Sequence, residues 1–266
     1  MINPKVEAQC TNIRKTFECG TIPIDPKFIA EKEKIILAPG SYGGDFDGRI
    51  EFLRPERRFV LYYQEGYAYV ADVRVRFSLA HELGHFYLDS HRERLCAGEA
   101  HDSEQGLISD KKREREADDF AASLLIPRGE LERRMGNKGF MHMQQIVNMA
   151  EDLRVSVPAA AIRYFGYAEE KCAVIMSEGG LVKCHLPSDS MREIGLGYME
   201  FGASLPPASK AMHLYQTGSY REVRGAETST DEWYPRRRNR LPLYEDSFSL
   251  GYSGRVITLL SVWKAD

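Results

Sequence analysis

The run His81-Glu82-Leu83-Gly84-His85 constrains this chain more than any other feature. Two histidines four residues apart share one face of a helix, one turn above the other, so both imidazoles can reach a single ion. The glutamate between them points toward the same place and can take a proton from a water held there. The chemistry needs a metal because neutral water is a poor nucleophile, and zinc suits an imidazole pair. The surrounding spacing agrees: Phe77, Ala80, Leu83, Gly84 and Leu88 give an apolar stripe that predicts a helix over 75–90. The bland alternative is an amphipathic helix with exposed histidines.

A second segment weighs against that alternative. Residues 112–125 read as a strong helix stopped by Pro127, and they carry Glu114-Arg115-Glu116-Ala117-Asp118-Asp119-Phe120. Glu114 and Asp118 are four apart and share a face, so Glu114 is placed to be a third ligand. Asp118 can accept the spare N–H of a ligating histidine and fix its tautomer. Two competitors stay open. Glu116 lies about 200° around the helix from Glu114, so only one of the two can face the ion. His91 follows His85 by six residues, the spacing of H-E-x-x-H-x-x-G-x-x-H, but Leu88 stands where that pattern has its turn-forming glycine.

The rest of the chain divides by pattern. Residues 1–20 lack a clear period and read as a short helix or a loose arm. A helix is expected from Asp25-Pro26 and a strand at 35–37; Pro39 to Gly44 is loop, and Asp47-Gly48 offers a hairpin turn. Strands are expected at 49–53 and 59–63, a polar segment over 91–110, and short helices at 143–152 and 157–165. After Gly166 short apolar runs alternate with turns, at 173–176, 181–183, 196–199, 248–250 and 256–260, which is the spacing of a small β-rich domain. A boundary within 166–171 gives a first domain of residues 1–168 and a second of 169–266, in the α+β class.

Bulk properties exclude several functions. With 43% hydrophobic and 28% charged residues and no apolar run of 18, the chain is globular, with no membrane partner expected. Its net charge of −3 does not fit a general polyanion binder. Five cysteines without a C-x-x-C pair fit reduced thiols, and with no secretory signal at the start a cytoplasmic location is expected.

Arg76-Phe77-Ser78-Leu79-Ala80-His81-Glu82-Leu83-Gly84-His85, followed by Glu114 to Pro127, resembles the ImmA/IrrE family of bacterial and phage metallopeptidases that cut helix-turn-helix repressors. The likeness extends over about residues 22 to 166, including Leu153-Arg154-Val155-Ser156-Val157. It implies a zincin-like metallopeptidase domain, Zn²⁺ on His81, His85 and Glu114, and Glu82 as general base and acid. It also implies a helix-turn-helix repressor as substrate, cleaved to derepress a stress or defence operon. Asp118 replaces the asparagine more usual in the family and keeps an acceptor. By position and strand spacing, the C-terminal region resembles a GAF-like sensing module.

Further candidates come from the residues alone. Cys96 stands between the two helices, where a thiolate would be able to take a fourth position on zinc as a latch. Tyr42, Tyr87, His91 and His101 are candidate oxyanion donors. Trp233, Tyr234, Arg236, Arg237, Arg238 and Arg240 combine aromatic rings with cations, a pattern that grips phosphates while bases stack, so single-stranded DNA is a candidate activator; a solvated loop is the plainer account. The alternative function is a DNA-binding regulator using a helix-turn-helix-like segment near 144–165, although Pro158-Ala159-Ala160-Ala161-Ile162-Arg163 is poor in groups that read base edges.

Overall fold

A computed structural model gives the fold; it describes residues 3–20, 22–42, 47–64, 69–98, 101–102, 112–136, 140–237, 240–251 and 253–262. The chain forms two compact units, Met1–Leu131 with Ala150–Ser156, and Glu132–Met149 with Val157–Asp266.

The first unit opens with helices α1 (Pro4–Thr16) and α2 (Pro26–Lys32), each started by an N-cap side chain, Asn3 or Asp25, and a proline in the first turn. Strands β1 (Ile36–Gly40), β2 (Gly48–Leu53) and β3 (Arg58–Gln64) follow, then α3 (Tyr69–Tyr87), α4 (Asp89–Ala97), the short β4 (His101–Asp102) and α5 (Lys112–Leu125). The sheet order is β1-β3-β2-β4, with β1 parallel to β3 and the other pairs antiparallel. The β2–β3 hairpin turns through residues 54–57, where Arg57 has φ 51°, and Gly48 is already the first residue of β2. The expected turn at Asp47-Gly48 is therefore corrected: Asp47 instead accepts two hydrogen bonds from the Arg74 guanidinium, at 2.9 and 2.7 Å.

Helix α3 is the centre of this unit. Every residue from Ser78 to Glu82 and on to Phe86 is buried, polar ones included, so the helix is covered on all sides. Helix α5 presents one apolar face, through Ala117, Phe120, Ala121, Leu124 and Leu125 at helical spacing. The two helices meet where α3 has no side chain: a Cβ on Gly84 would lie 3.1 Å from Ala117 Cα and 3.2 Å from Phe120 Cβ. Helix α1 braces the back of α5. Ser123 donates from Oγ to Glu7 at 2.6 Å, and Arg14 donates to the Ser123 carbonyl at 2.9 Å.

Helices α6 (Arg128–Met135), α7 (Met143–Leu153) and α8 (Val157–Phe165) come next. The second unit then builds β5 (Cys172–Glu178), β6 (Leu181–Pro187), α9 (Asp189–Glu193), α10 (Lys210–Thr217), β7 (Val223–Ser229), α11 (Thr230–Trp233), β8 (Pro242–Ser249) and β9 (Arg255–Val262). Its five strands form an antiparallel sheet in the order β6-β5-β9-β8-β7. Residues 196–199, expected as a strand, are not one: Leu196 is a fully buried plug of the core, and the chain around it is a loop. The fold class is α+β, with an antiparallel C-terminal sheet. Among the described residues no helix is long and apolar enough to cross a membrane.

Candidate metal centre

The pair predicted from sequence comes together on α3. His81 Nε2 and His85 Nε2 are 3.2 Å apart, and Glu114 Oε2 lies 3.5 Å from His81 Nε2. One ligand atom from each of His81, His85 and Glu114 lies within 4.8 Å of the others. Two ligand atoms each about 2.0–2.1 Å from a tetrahedral zinc ion are about 3.3 Å apart, so these spacings suit one ion. The other His81 nitrogen, Nδ1, is 2.8 Å from Asp118 Oδ1, which orients the ring and leaves Nε2 turned to the centre. Glu114 and Asp118, one helical turn apart on α5, thus hold opposite edges of one imidazole. They reach it because Ala117, between them, rests on Gly84 of α3.

The electrostatics call for a cation. Burial by itself would hold His81 below the usual imidazole range, but the contacts with Asp118 and Glu114 and the charge of Glu82 outweigh it and push His81 up to about 10. Donor set, spacing and charge all fit a divalent ion.

Glu82 is fully buried on α3. Strand β2 approaches it at Gly48, where a Cβ would sit 3.1 Å from Glu82 Cγ and 3.3 Å from its Oε1. A side chain at 48 would displace the carboxylate, which is a role for this glycine that sequence reasoning missed.

The two competitors for the third ligand pair with each other instead: His91 Nε2 is 3.1 Å from Glu116 Oε2. Other candidates are placed as follows. Tyr87 donates its hydroxyl to Glu33 at 2.7 Å, and Tyr42 donates to the Ala38 carbonyl at 2.9 Å. The His101 side chain lies outside the described residues. Cys96 is exposed near the end of α4, and is not one of the three converging ligands.

In the second unit Trp233 and Tyr234 are core residues, and Tyr234 Oη is 3.0 Å from His185 Nε2. Their faces are not presented for stacking. Arg236 is exposed and pairs with Glu200 at 3.3 Å; Arg240 lies 3.6 Å from Asp231. Arg237 donates to the Ile194 carbonyl, and Arg238 lies outside the described residues. The exposed rings nearby in sequence to Glu200 are Tyr198 and Phe201, which with Lys183, Cys184 and His185 line a cavity of about 150 Å³. Of the helix-turn-helix-like segment, α8 has Val157, Pro158, Ala160, Ala161, Arg163 and Tyr164 buried, which leaves little of it to enter a DNA groove.

Comparison with known proteins follows the same lines. No curated protein matches the chain. A solved structure described as a Mycobacterium tuberculosis transcriptional regulator superposes with a TM-score of 0.60 at 12% identity, covering 96% of this chain and 76% of that one, and so shares its fold. Residues 67–165 match the family model of Peptidase_M78, the IrrE N-terminal-like domain. That stretch contains both ligand-bearing helices, and over those residues the chain is similar to the IrrE N-terminal-like domain.

Proposed function

We propose that this chain is a zinc-dependent endopeptidase that cuts a helix-turn-helix repressor, and so derepresses a stress or defence operon. The observation that carries the reading is the convergence of His81 Nε2, His85 Nε2 and a Glu114 oxygen beside a buried glutamate. The likeness of residues 67–165 to a metallopeptidase family model supports the reaction class.

His81, His85 and Glu114 would hold the ion. Zn²⁺ bound there supplies Lewis acidity toward the scissile carbonyl. Glu82 takes the proton of the attacking water and returns it to the leaving amine. Asp118 keeps the His81 ring turned so that Nε2 faces the centre. Gly48 keeps β2 close to Glu82 without crowding its carboxylate.

In the same reading residues 1–168 are the catalytic domain and 169–266 a regulatory domain of GAF-like type, supported by the antiparallel sheet. Arg236 and Arg240 are the exposed cations available to the phosphates of a single-stranded DNA activator. Oligonucleotide binding unchanged by Arg236→Glu with Arg240→Glu removes that element. Cys96 remains the candidate latch; basal cleavage unchanged in Cys96→Ala removes it.

The deciding experiment is incubation of the full chain with helix-turn-helix repressors, those of any neighbouring genes first, with and without DNA, and with and without a chelator. Cleavage that stops with chelator, and that Glu82→Gln abolishes with zinc retained, supports the reading. An intact repressor under every condition overturns it.

A further inference from the structure

The acidic run on α5 is distributed over the histidines. Glu114 and Asp118 both meet His81, and Glu116 meets His91. His85 is placed differently, between two rings. Its centroid is 5.0 Å from that of His81, with planes at 58°, and 4.8 Å from that of His91, with planes at 33°. The second pair is a tilted contact at van der Waals range, the closer and flatter of the two. His91 is only 1% exposed, and it comes from α4, a separate helix that begins after the chain bends at Leu88.

We infer that His91, anchored by Glu116, is the positioning residue for His85. Asp118 fixes the His81 ring by a hydrogen bond at its far nitrogen. His91 fixes the His85 ring by packing against it at a tilt, and Glu116 keeps His91 from turning away. A ligand ring that is already oriented loses less freedom when an ion binds, so this contact raises metal affinity without touching the ion. His91 and Glu116 therefore belong to the centre, although neither is a ligand. The inference rests on the metal-centre reading proposed above.

Zinc affinity of the full chain, measured by competition with a chromophoric chelator, tests it, with the thermal midpoint of the metal-free protein as a control for folding. His91→Ala should weaken zinc binding by about 10–100-fold, and Glu116→Ala by about tenfold. His91→Phe, which restores a flat ring without the Glu116 anchor, should recover part of the loss, to about the level of Glu116→Ala. The metal-free midpoint of Glu116→Ala should stay close to that of the unchanged chain, because Glu116 is partly exposed. Should His91→Ala fail to fold, Glu116→Ala and His91→Phe still decide. If the unchanged chain binds zinc and these variants bind it as tightly, or if His91→Phe is as weak as His91→Ala, the positioning role is overturned while the metal centre stands. If the unchanged chain takes up no zinc, the metal centre falls and this inference with it.

Discussion

Strand β8 of the second unit buries two neighbouring carboxylates, Glu245 and Asp246, while the α3–α5 region of the first buries Glu82 beside Glu114 and Asp118. Successive residues of a strand point to opposite faces, so the β8 pair serves two different helices. Glu245 accepts the Ala211 N–H at 2.7 Å, near the start of α10, and Asp246 accepts the Met143 N–H at 2.7 Å, at the start of α7. These are orphan donors of helix first turns, and a carboxylate is the natural acceptor for them. Asp246 also lies 3.4 Å from His142 Nδ1, whereas Glu245 takes its further bond from the Ser247 hydroxyl; in the first unit Glu114, Glu116 and Asp118 meet imidazoles. The difference separates two uses of a buried acid. One whose partners are backbone N–H groups and a hydroxyl, as at Glu245, is committed to the fold. One whose partners are titratable side chains remains able to exchange a proton for a cation.

The largest expected effect tests that distinction directly. Glu82→Gln keeps the shape of the side chain and removes its basicity, so repressor cleavage under single-turnover conditions should fall by about 10²–10⁴-fold, the usual range for a general base. Zinc content should be unchanged. Glu245→Gln should leave cleavage unaltered. Comparable losses in both would erase the contrast between the two regions.

Next in size is the contact that brings the carboxylates to the histidines. A methyl at Gly84 would lie 3.1 Å from the Ala117 backbone, where no flexible side chain can yield. Gly84→Ala should cost about 1–3 kcal/mol by overpacking and push Glu114 and Asp118 away from His81. Thermal unfolding with and without zinc would show both: a lower metal-free midpoint and a smaller rise on adding the ion. A variant that keeps the full zinc-dependent rise would mean that α5 is held in place by something other than this contact, α1 being the alternative through Glu7 and Arg14.

What could be read from the sequence follows the range of the forces involved. Helix α5 has the bounds expected of it, Lys112–Leu125, because apolar spacing and Pro127 are local signals. The His81 and His85 pairing was equally legible, since helical periodicity fixes which residues share a face, while the choice of Glu114 over Glu116 and His91 stayed open until the two helices were brought together. Helix α1 was not, because its polar partner Ser123 is more than a hundred residues away. The loop at 196–199 looked like a strand because Leu196 and Met199 are apolar, but their apolar character serves the core without any strand pairing. Trp233 and Tyr234 looked like surface rings because arginines follow them, whereas their burial is decided by the sheet beneath. His91 and Glu116 were each weighed as the third ligand. Spacing along a chain cannot reveal that two rivals for one position satisfy each other.

The smallest effect concerns pH. Burial raises Glu245 above its ordinary 4.5, against the opposing pull of the Ala211 and Lys210 N–H groups and Ser247, and burial likewise raises Asp246 above 3.8, against the Met143 N–H and His142. An acid raised in the folded state holds its proton there after the unfolded chain has released it. The folded state then binds more protons, so its stability falls as pH rises through that window. Glutamine at 245 keeps an acceptor for α10 but does not titrate. The stability of the unchanged chain relative to Glu245→Gln should therefore be highest below pH 4.5 and decline as pH rises past it toward the folded-state value. Asp246→Asn should behave alike from 3.8 upward. Thermal midpoints across pH read this out, about 2–4 °C for each kcal/mol in a domain of this size. Zinc affinity should not differ between these variants and the unchanged chain at any of those pH values, because neither acid is among the converging ligands. A relative stability that climbs with pH would show that the helix N–H groups outweigh burial, and that these two acids are charged in the fold more firmly than an exposed carboxylate.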